Sequence, residues 1–256
     1  MDGARGDGRF RGVYSKKHLA PLALIAAVVG GICVAVGLLF NWSPRAISPE
    51  ADRVDGIMWA LYWSSAVIFT IVVSVLIYCV WKFRRQPGDD SDGPPVHGNT
   101  MLEIIWTVIP TLLLAGVAAY AVVVINRNEA LAAPANRIDV NVNAQQFAWT
   151  FEYEGVRTGD LRVPAGNKKR QIRLNITASD VIHDFWVPEL RVKQDATPGV
   201  VTHLVFTPRD LGTYPIVCAE LCGAGHGLMR SRLIVMKDAD YEAWAIAARA
   251  KAAATK

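Results

Sequence analysis

Residues 218–229, CAELCGAGHGLM, bring Cys218, Cys222, His226 and Met229 into one short stretch rich in glycine. Thiolate, imidazole and thioether donors together suit copper, and a weak methionine ligand is typical of copper electron-transfer sites. A structural zinc more often takes four Cys or His ligands at tighter spacing, without methionine. Two thiolates can each bridge two metal ions, so the stretch could hold a copper pair if a further terminal nitrogen were supplied. The chain has five histidines. His18 and His97 fall on the far side of a membrane in the topology derived below, and His226 is already used. His183, in DVIHDFWVP, lies on an expected strand ending at Pro188 and is the first choice; His203, in VVTHLVF, reads as an ordinary outward strand residue. The competing reading is a Cys218–Cys222 disulfide, which an oxidising compartment favours for the pair alone. It leaves His226 and Met229 without a role. Cys33 and Cys79 sit inside apolar runs, where a cysteine behaves as a small apolar residue.

Those runs decide the compartment. Hydrophobic residues make up 52% of the chain and come in blocks, while the net charge of +4 is small and its basic residues flank the blocks. That pattern excludes a nucleic-acid binder and points to membrane lipid. Segments 19–40, 57–83 and 101–126 are each long enough, at about 1.5 Å per residue, to cross a hydrocarbon core of roughly 30 Å. Arg5, Arg9, Arg11, Lys16 and Lys17 precede the first, and Lys82, Arg84 and Arg85 close the second. Positive-inside bias therefore puts residues 1–18 and the 84–100 loop in the cytoplasm and everything after about 127 outside. The first segment also fits a signal sequence, cleaved or not. No clear small-x-small cleavage site follows it, so an uncleaved helix is preferred.

Past residue 136 the pattern changes to short alternating segments, among them RIDVNVN, RQIRLNIT and VVTHLVF, separated by turns such as PAGN, TPG and PRDLG. Many short strands without intervening helices indicate an antiparallel sandwich or barrel over 127–237. Residues 238–256, with acids in their first turn and bases late, read as a C-terminal helix matched to its dipole.

CAELCGAGHGLM resembles the binuclear copper loop of cytochrome c oxidase subunit II, and VIHDFWVP resembles that family's upstream ligand strand. The likeness continues in LEIIWTVIP, QFAWTFEY and LRVKQDATPG and covers roughly 57–236. It implies a cupredoxin-like β-sandwich on transmembrane helices, in a bacterial plasma or inner membrane with the sandwich on the periplasmic side. It also implies two copper ions, with Cys218 and Cys222 bridging, His183 and His226 terminal, Met229 axial on one ion and the Glu220 carbonyl on the other. The Glu220 carboxylate would reach a magnesium ion shared with subunit I. The family's activity follows: electrons from cytochrome c, or from a similar or membrane-tethered cytochrome, pass through the copper pair to haem in subunit I. Oxygen becomes water there and protons are translocated.

Seven further positions carry expected roles by the same resemblance. Glu103 matches an acid at the mouth of a proton path, although TMLE also reads as a capping box with Thr100 as N-cap. Phe147 stands where the family places a tryptophan at which electrons enter, and Trp149 matches the second tryptophan of that pattern. Glu152 and Asp180 match acids that dock the donor. The residues from 127 onward hold 17 Lys and Arg against 14 Asp and Glu, however, which does not favour a strongly basic donor. Lys193 and Asp195 match positions near subunit I and otherwise read as a surface ion pair. The rival readings are a membrane-tethered copper delivery or storage protein, a disulfide-closed scaffold, and a quinol oxidase subunit II. The cysteine pair argues against the last, and the membrane anchor argues against a nitrous oxide reductase.

Overall fold

The structure is a computed structural model that describes residues 17–85, 87–88, 98–153, 155–165 and 170–254. Most of the basic N-terminus, residues 89–97 of the expected cytoplasmic loop and His97 lie outside the described residues. The chain forms two compact units, one of residues 1–42 and 58–117, the other of residues 43–57 and 118–256.

The first unit is helical. Helices α1 (Leu19–Leu39), α2 (Pro49–Lys82) and α3 (Thr100–Asn128) are each long and apolar enough to cross a membrane. Within this unit α1 runs antiparallel along α2. The Tyr62 hydroxyl donates to the Cys33 carbonyl at 2.6 Å, and His18 reaches the Tyr78 hydroxyl. Gly37 makes the approach possible, since a Cβ there would lie 2.6 Å from the Tyr62 ring. Small residues at such a contact let helix backbones come close where lipid offers no hydrophobic drive.

Two helix starts differ from the sequence reading, both for capping reasons. Helix α2 begins at Pro49, ahead of its apolar run, because Ser48 caps it through its Oγ to the Ala51 amide at 3.1 Å. Proline at the first helical position, with Glu50 and Asp52 in the first turn, completes that start. Asn99, not Thr100, caps α3: its Oδ1 accepts from the Leu102 amide at 3.2 Å.

The second unit is a β-sandwich. Its strands are β1 (Arg137–Gln145), β2 (Ala148–Tyr153), β3 (Val156–Thr158), β4 (Leu161–Pro164), β5 (Gln171–Ala178), β6 (His183–Val187), β7 (Val192–Ala196), β8 (Thr202–Phe206), β9 (Gly212–Cys218) and β10 (Arg230–Met236). One sheet has the order β3-β2-β1-β5-β8 and the other β4-β10-β9-β6-β7. The expected antiparallel pairing is not complete, because β1–β5 and β4–β10 are parallel. In each case the chain passes through intervening strands and re-enters at the end opposite the one it left, a crossover that alternation along single strands cannot reveal. Alternation does set the core: Val140 and Val142 of β1 lie opposite Leu174 and Ile176 of β5, and all four are buried. Phe151, Phe185, Phe206, Leu233 and Met229 fill the space between the sheets. The C-terminal helix α4 (Asp238–Ala254) sets Trp244 against Tyr153 at a ring separation of 5.4 Å.

Residues 43–57 form a strap on the sandwich. Ile47 is fully buried in the sandwich core; its amide donates to the Glu189 carbonyl and its carbonyl accepts from the Arg209 amide. The buried Glu50 carboxylate accepts from the Thr207 amide at 3.0 Å and from the Thr207 hydroxyl at 3.2 Å. Asp52 pairs with Arg209 at 2.5 Å and Asp55 with Arg191 at 2.7 Å. The segment between α1 and α2 therefore lies on the same side of any membrane as the sandwich. Glu50→Ala leaves the Thr207 amide without its acceptor. The unfolding midpoint of the detergent-solubilised chain should fall by the equivalent of about 1–3 kcal/mol, and an unchanged midpoint would remove Glu50 from the strap's energetics.

Candidate metal centre

His183 opens β6 and is fully buried, its ring edge-on to Trp149 at 6.2 Å between centroids. Its two nitrogens face different groups. Nε2 lies 2.9 Å from Asp180 Oδ1, and Nδ1 lies 3.9 Å from Cys218 Sγ. A carboxylate on one nitrogen fixes the tautomer and leaves the other free to bind a metal. The Asp180 carboxylate also accepts from the Gln146 and Val181 amides, each at 2.7 Å. Desolvation works to raise its pKa, but the Gln146 amide, the His183 ring and the Val181 amide outweigh it and hold the carboxyl down to about 2.

Cys218 ends β9, paired with Phe185 of β6, and its amide donates to the Met229 carbonyl at 3.2 Å. Between them the chain turns through Gly223, at a φ of +133° that favours glycine. It then makes a single 3₁₀ turn over His226–Leu228. Gln146 Nε2 donates to the Cys222 carbonyl at 2.6 Å and clamps the loop from the β1–β2 turn. Beside it, Phe147 lies flat over the loop glycines, so that a Cβ at Gly225 would stand 2.5 Å from its ring.

The donors form a chain of contacts. Cys218 Sγ and Cys222 Sγ are 3.8 Å apart; Cys222 Sγ is 3.7 Å from His226 Nδ1 and 3.8 Å from Met229 Sδ. Cys218 Sγ is 3.2 Å from the Glu220 carbonyl oxygen. Both cysteines are free, so the disulfide reading does not hold in this structure. Thiolates at about 2.3 Å from a shared tetrahedral metal stand roughly 3.8 Å apart, so the separation fits sulfurs that share metal. Each sulfur faces a different imidazole, and the one thioether is fully buried at Met229. Among the described residues, His183, Cys218 and Cys222 have donor atoms lying within 4.8 Å of one another. Burial, and then the hydrogen bond to Cys218, push the Cys222 thiol up to about 11.

The other expected site residues scatter. Trp149 is buried in the core, where a docked protein cannot touch it, while Phe147 is 39% exposed above the loop. Glu152 is half-buried and pairs with Arg157 at 3.6 Å. Glu220 is exposed, and its carboxylate lies within electrostatic reach of Asp184, whose carboxyl burial and the neighbouring Asp195 raise. Glu103 is exposed in the first turn of α3, in the other unit. His203 stands outward on β8 beside Arg173. Sequence reasoning missed Gln146, which carries no local signal. Asp180, expected at the docking face, also carries the hydrogen bond to His183, which an acid three residues before a candidate ligand could have suggested.

The family model described as cytochrome C oxidase subunit II, transmembrane domain, matches residues 22–124, and the periplasmic domain model of the same family matches residues 160–238. A cytochrome c oxidase subunit 2 from Synechocystis sp. is 34% identical over 91% of this chain and 84% of its own. The chain belongs to the cytochrome c oxidase subunit II family. A relative of the same name from Thermostichus vulcanus is 33% identical over 85% of this chain and 81% of its own. The crystal structure of the periplasmic domain of subunit II of cytochrome oxidase of Bradyrhizobium japonicum is 26% identical, covering 44% of this chain and 94% of that one with a TM-score of 0.42. Membership makes the chain a membrane-anchored subunit of an oxidoreductase complex. His183 and the 218–229 loop lie inside the periplasmic match; Gln146 and Phe147 lie outside both matches.

Two outcomes follow from the geometry. Asp180→Ala removes the acceptor of three donors around His183 and should weaken copper binding by about 10- to 100-fold, read by chelator competition on the full chain. Unchanged affinity would deny Asp180 a positioning role. The raised Cys222 thiol means that the fold favours its neutral form. The stability this gives the reduced, metal-free chain is present below about pH 9 and lost as pH rises through about 11. The denaturant midpoint should fall across that window in the metal-free chain; a flat profile would contradict the burial argument.

Proposed function

We propose that this chain is the subunit through which a respiratory cytochrome c oxidase takes up electrons. The observation that supports this reading is the pair of unbonded, buried thiols, 3.8 Å apart, each faced by a different imidazole. When bound, a copper pair supplies one-electron redox chemistry, receiving electrons from cytochrome c or a similar donor and yielding them to haem in subunit I. Oxygen is reduced to water in that subunit, with proton translocation.

This chain's residues do the holding. Cys218, Cys222, His183 and His226 would hold the copper, with Met229 and the Glu220 carbonyl as its weaker ligands. Asp180 orients His183, and Gln146 fixes the loop backbone at Cys222. Trp149, Phe185 and the sheets around them keep water from the inner side. Ligands seated in a packed sandwich move little when the charge changes, and small movement lowers the cost of electron transfer. The Glu220 carboxylate contributes to a magnesium site at the boundary with subunit I, and Glu103 receives protons at the cytoplasmic edge of α3. The sandwich and strap lie on the periplasmic side of a bacterial inner membrane, opposite the basic flanks of α1 and α2.

Metal analysis and electron spin resonance of the purified oxidase complex test the reading. Two coppers on this chain, with hyperfine splitting from both nuclei, are expected, and Cys222→Ser should abolish that signal. One copper with a single-nucleus spectrum would instead indicate delivery or storage. Glu103→Gln keeps the Asn99 cap and should lower oxygen turnover several-fold, with electron uptake from cytochrome c intact. Unchanged turnover would remove Glu103 from the proton path.

A further inference from the structure

The outward face of the β3-β2-β1-β5-β8 sheet has a composition that strand formation does not favour. Asn141 and Asn143 of β1 and Asn175 of β5 alternate with the buried Val140, Val142, Leu174 and Ile176 and so point away from the core. Asparagine is depleted in strands, so three at adjoining positions of two paired strands need a reason other than folding. The register sets them in two rows. Arg157, Glu152, Asn141, Asn175 and His203 face one another in turn across all five strands, and Thr150, Asn143 and Thr177 form the next row. Asn175 Nδ2 donates to Asn141 Oδ1 at 3.0 Å, and Ser179 Oγ donates to Asn143 Oδ1 at 2.9 Å. The asparagines, with Thr150, Thr177 and Ser179, line a groove of about 590 Å³, a volume usual for a small-ligand site.

The two ends of the long row differ in charge. At the β3 end Arg157 and Glu152 pair at 3.6 Å and cancel. At the β8 end lies Arg173, two residues along β5 from Asn175. Its only side-chain hydrogen-bond partner among the described residues is His203, with Nη2 3.1 Å from Nε2. The acid opposite it on β1, Asp139, is held by Arg137 at 3.0 Å. Arg173 Nε and Asn175 Oδ1 are buried without a partner, and orphaned polar atoms of this kind call for an explanation from outside the chain. The face therefore has a neutral middle of amides and hydroxyls, which both donates and accepts, and a cation without a carboxylate at one edge. Charge complementarity selects a ligand with a hydroxyl-rich body and an acidic group at one end.

We propose that this sheet face binds an acidic saccharide. Its hydroxyls meet Asn141, Asn143, Asn175 and Thr177, whose side chains offer donors and acceptors side by side, and its carboxylate or phosphate meets Arg173 and His203. Strands about 4.8 Å apart put Asn141 roughly 10 Å from His203 across the sheet, which gives room for more than one sugar ring. The contact to Arg173 is charge-assisted and stronger than the neutral ones. The site uses no candidate copper ligand and stands apart from the electron-uptake reading. On the periplasmic side proposed above, two sources carry this chemistry: cell-wall glycan and the headgroups of acidic glycolipids.

The test is calorimetric titration of the full chain in lipid nanodiscs, since a sugar-headed detergent would compete for the groove. The probes are cellobiose and its uronic-acid counterpart, which differ by one carboxylate. The acidic disaccharide should bind about tenfold more tightly than the neutral one, and that difference should shrink between roughly 20 and 300 mM salt. Arg173→Gln should remove the difference, and Asn143→Ala should weaken both sugars several-fold. Asn136→Ala, an exposed residue outside the groove, should change neither, and copper content should be the same in all three variants. Adding an acidic glycolipid to the nanodiscs should abolish the heat if headgroups are the natural ligand and leave it unchanged if wall glycan is; either result supports the site and names its source. Equal binding of the two disaccharides, or binding that ignores both the Arg173 and Asn143 changes, would overturn the proposal. Absence of heat from either sugar would overturn it as well, and loss of another oxidase subunit from the purified Asn143→Arg complex would then assign the face to a protein partner.

Discussion

The gap of 3.8 Å between Cys218 Sγ and Cys222 Sγ is the constraint on which the rest of the structure depends. Two buried thiols at that distance can close to a disulfide or open around metal, and the surrounding backbone decides between them. Cys218 is a strand residue, fixed through the β6 ladder and through its amide to Met229. Cys222 sits on a turn whose carbonyl is held from another sheet by Gln146. Closing the gap would pull against both anchors. The price of keeping it open is a thiol whose ionisation burial opposes, which a bound metal would offset.

The same logic extends outward. Asp180 ties the β1–β2 turn, the β5–β6 turn and His183 to one carboxylate, so that a ligand from one sheet is set by hydrogen bonds from the other. Charge-assisted hydrogen bonds of this kind lose strength when one member moves, which makes the three segments respond together. Farther out, the strap inserts Ile47 into the sandwich core and buries Glu50 against Thr207. The start of α2 is thereby part of the domain that carries the donors, not a free tether. An electron-transfer site gains from that stiffness, because the same packing that excludes water also limits ligand movement.

Much of this was legible in the sequence, and for definite reasons. Apolar runs near 20 residues long have few alternatives to helices, and alternation in RIDVNVN and RQIRLNIT marked β1 and β5 with the correct inward faces. The loop chemistry was legible because Cys218, Cys222, His226 and Met229 are neighbours along the chain and their spacing limits where the donors can go. His183 was reached from the need for a further nitrogen, and the fold places it 3.9 Å from Cys218. Capping was read one residue off at α3 and missed at α2, since hydropathy outweighs a polar cap in any window.

What the sequence by itself determined was the inventory: which donors exist, which segments are apolar, and which residues alternate inward. Tertiary structure alone decided that β1 pairs parallel with β5, that Trp149 is core, that the Gln146 amide reaches Asp180, and that the Gln146 side chain holds Cys222. The physical reason is range. Spacing along a strand or loop is fixed by covalent geometry and can be counted. Contacts between residues 30 to 80 positions apart depend on how two sheets pack, and no local pattern encodes that.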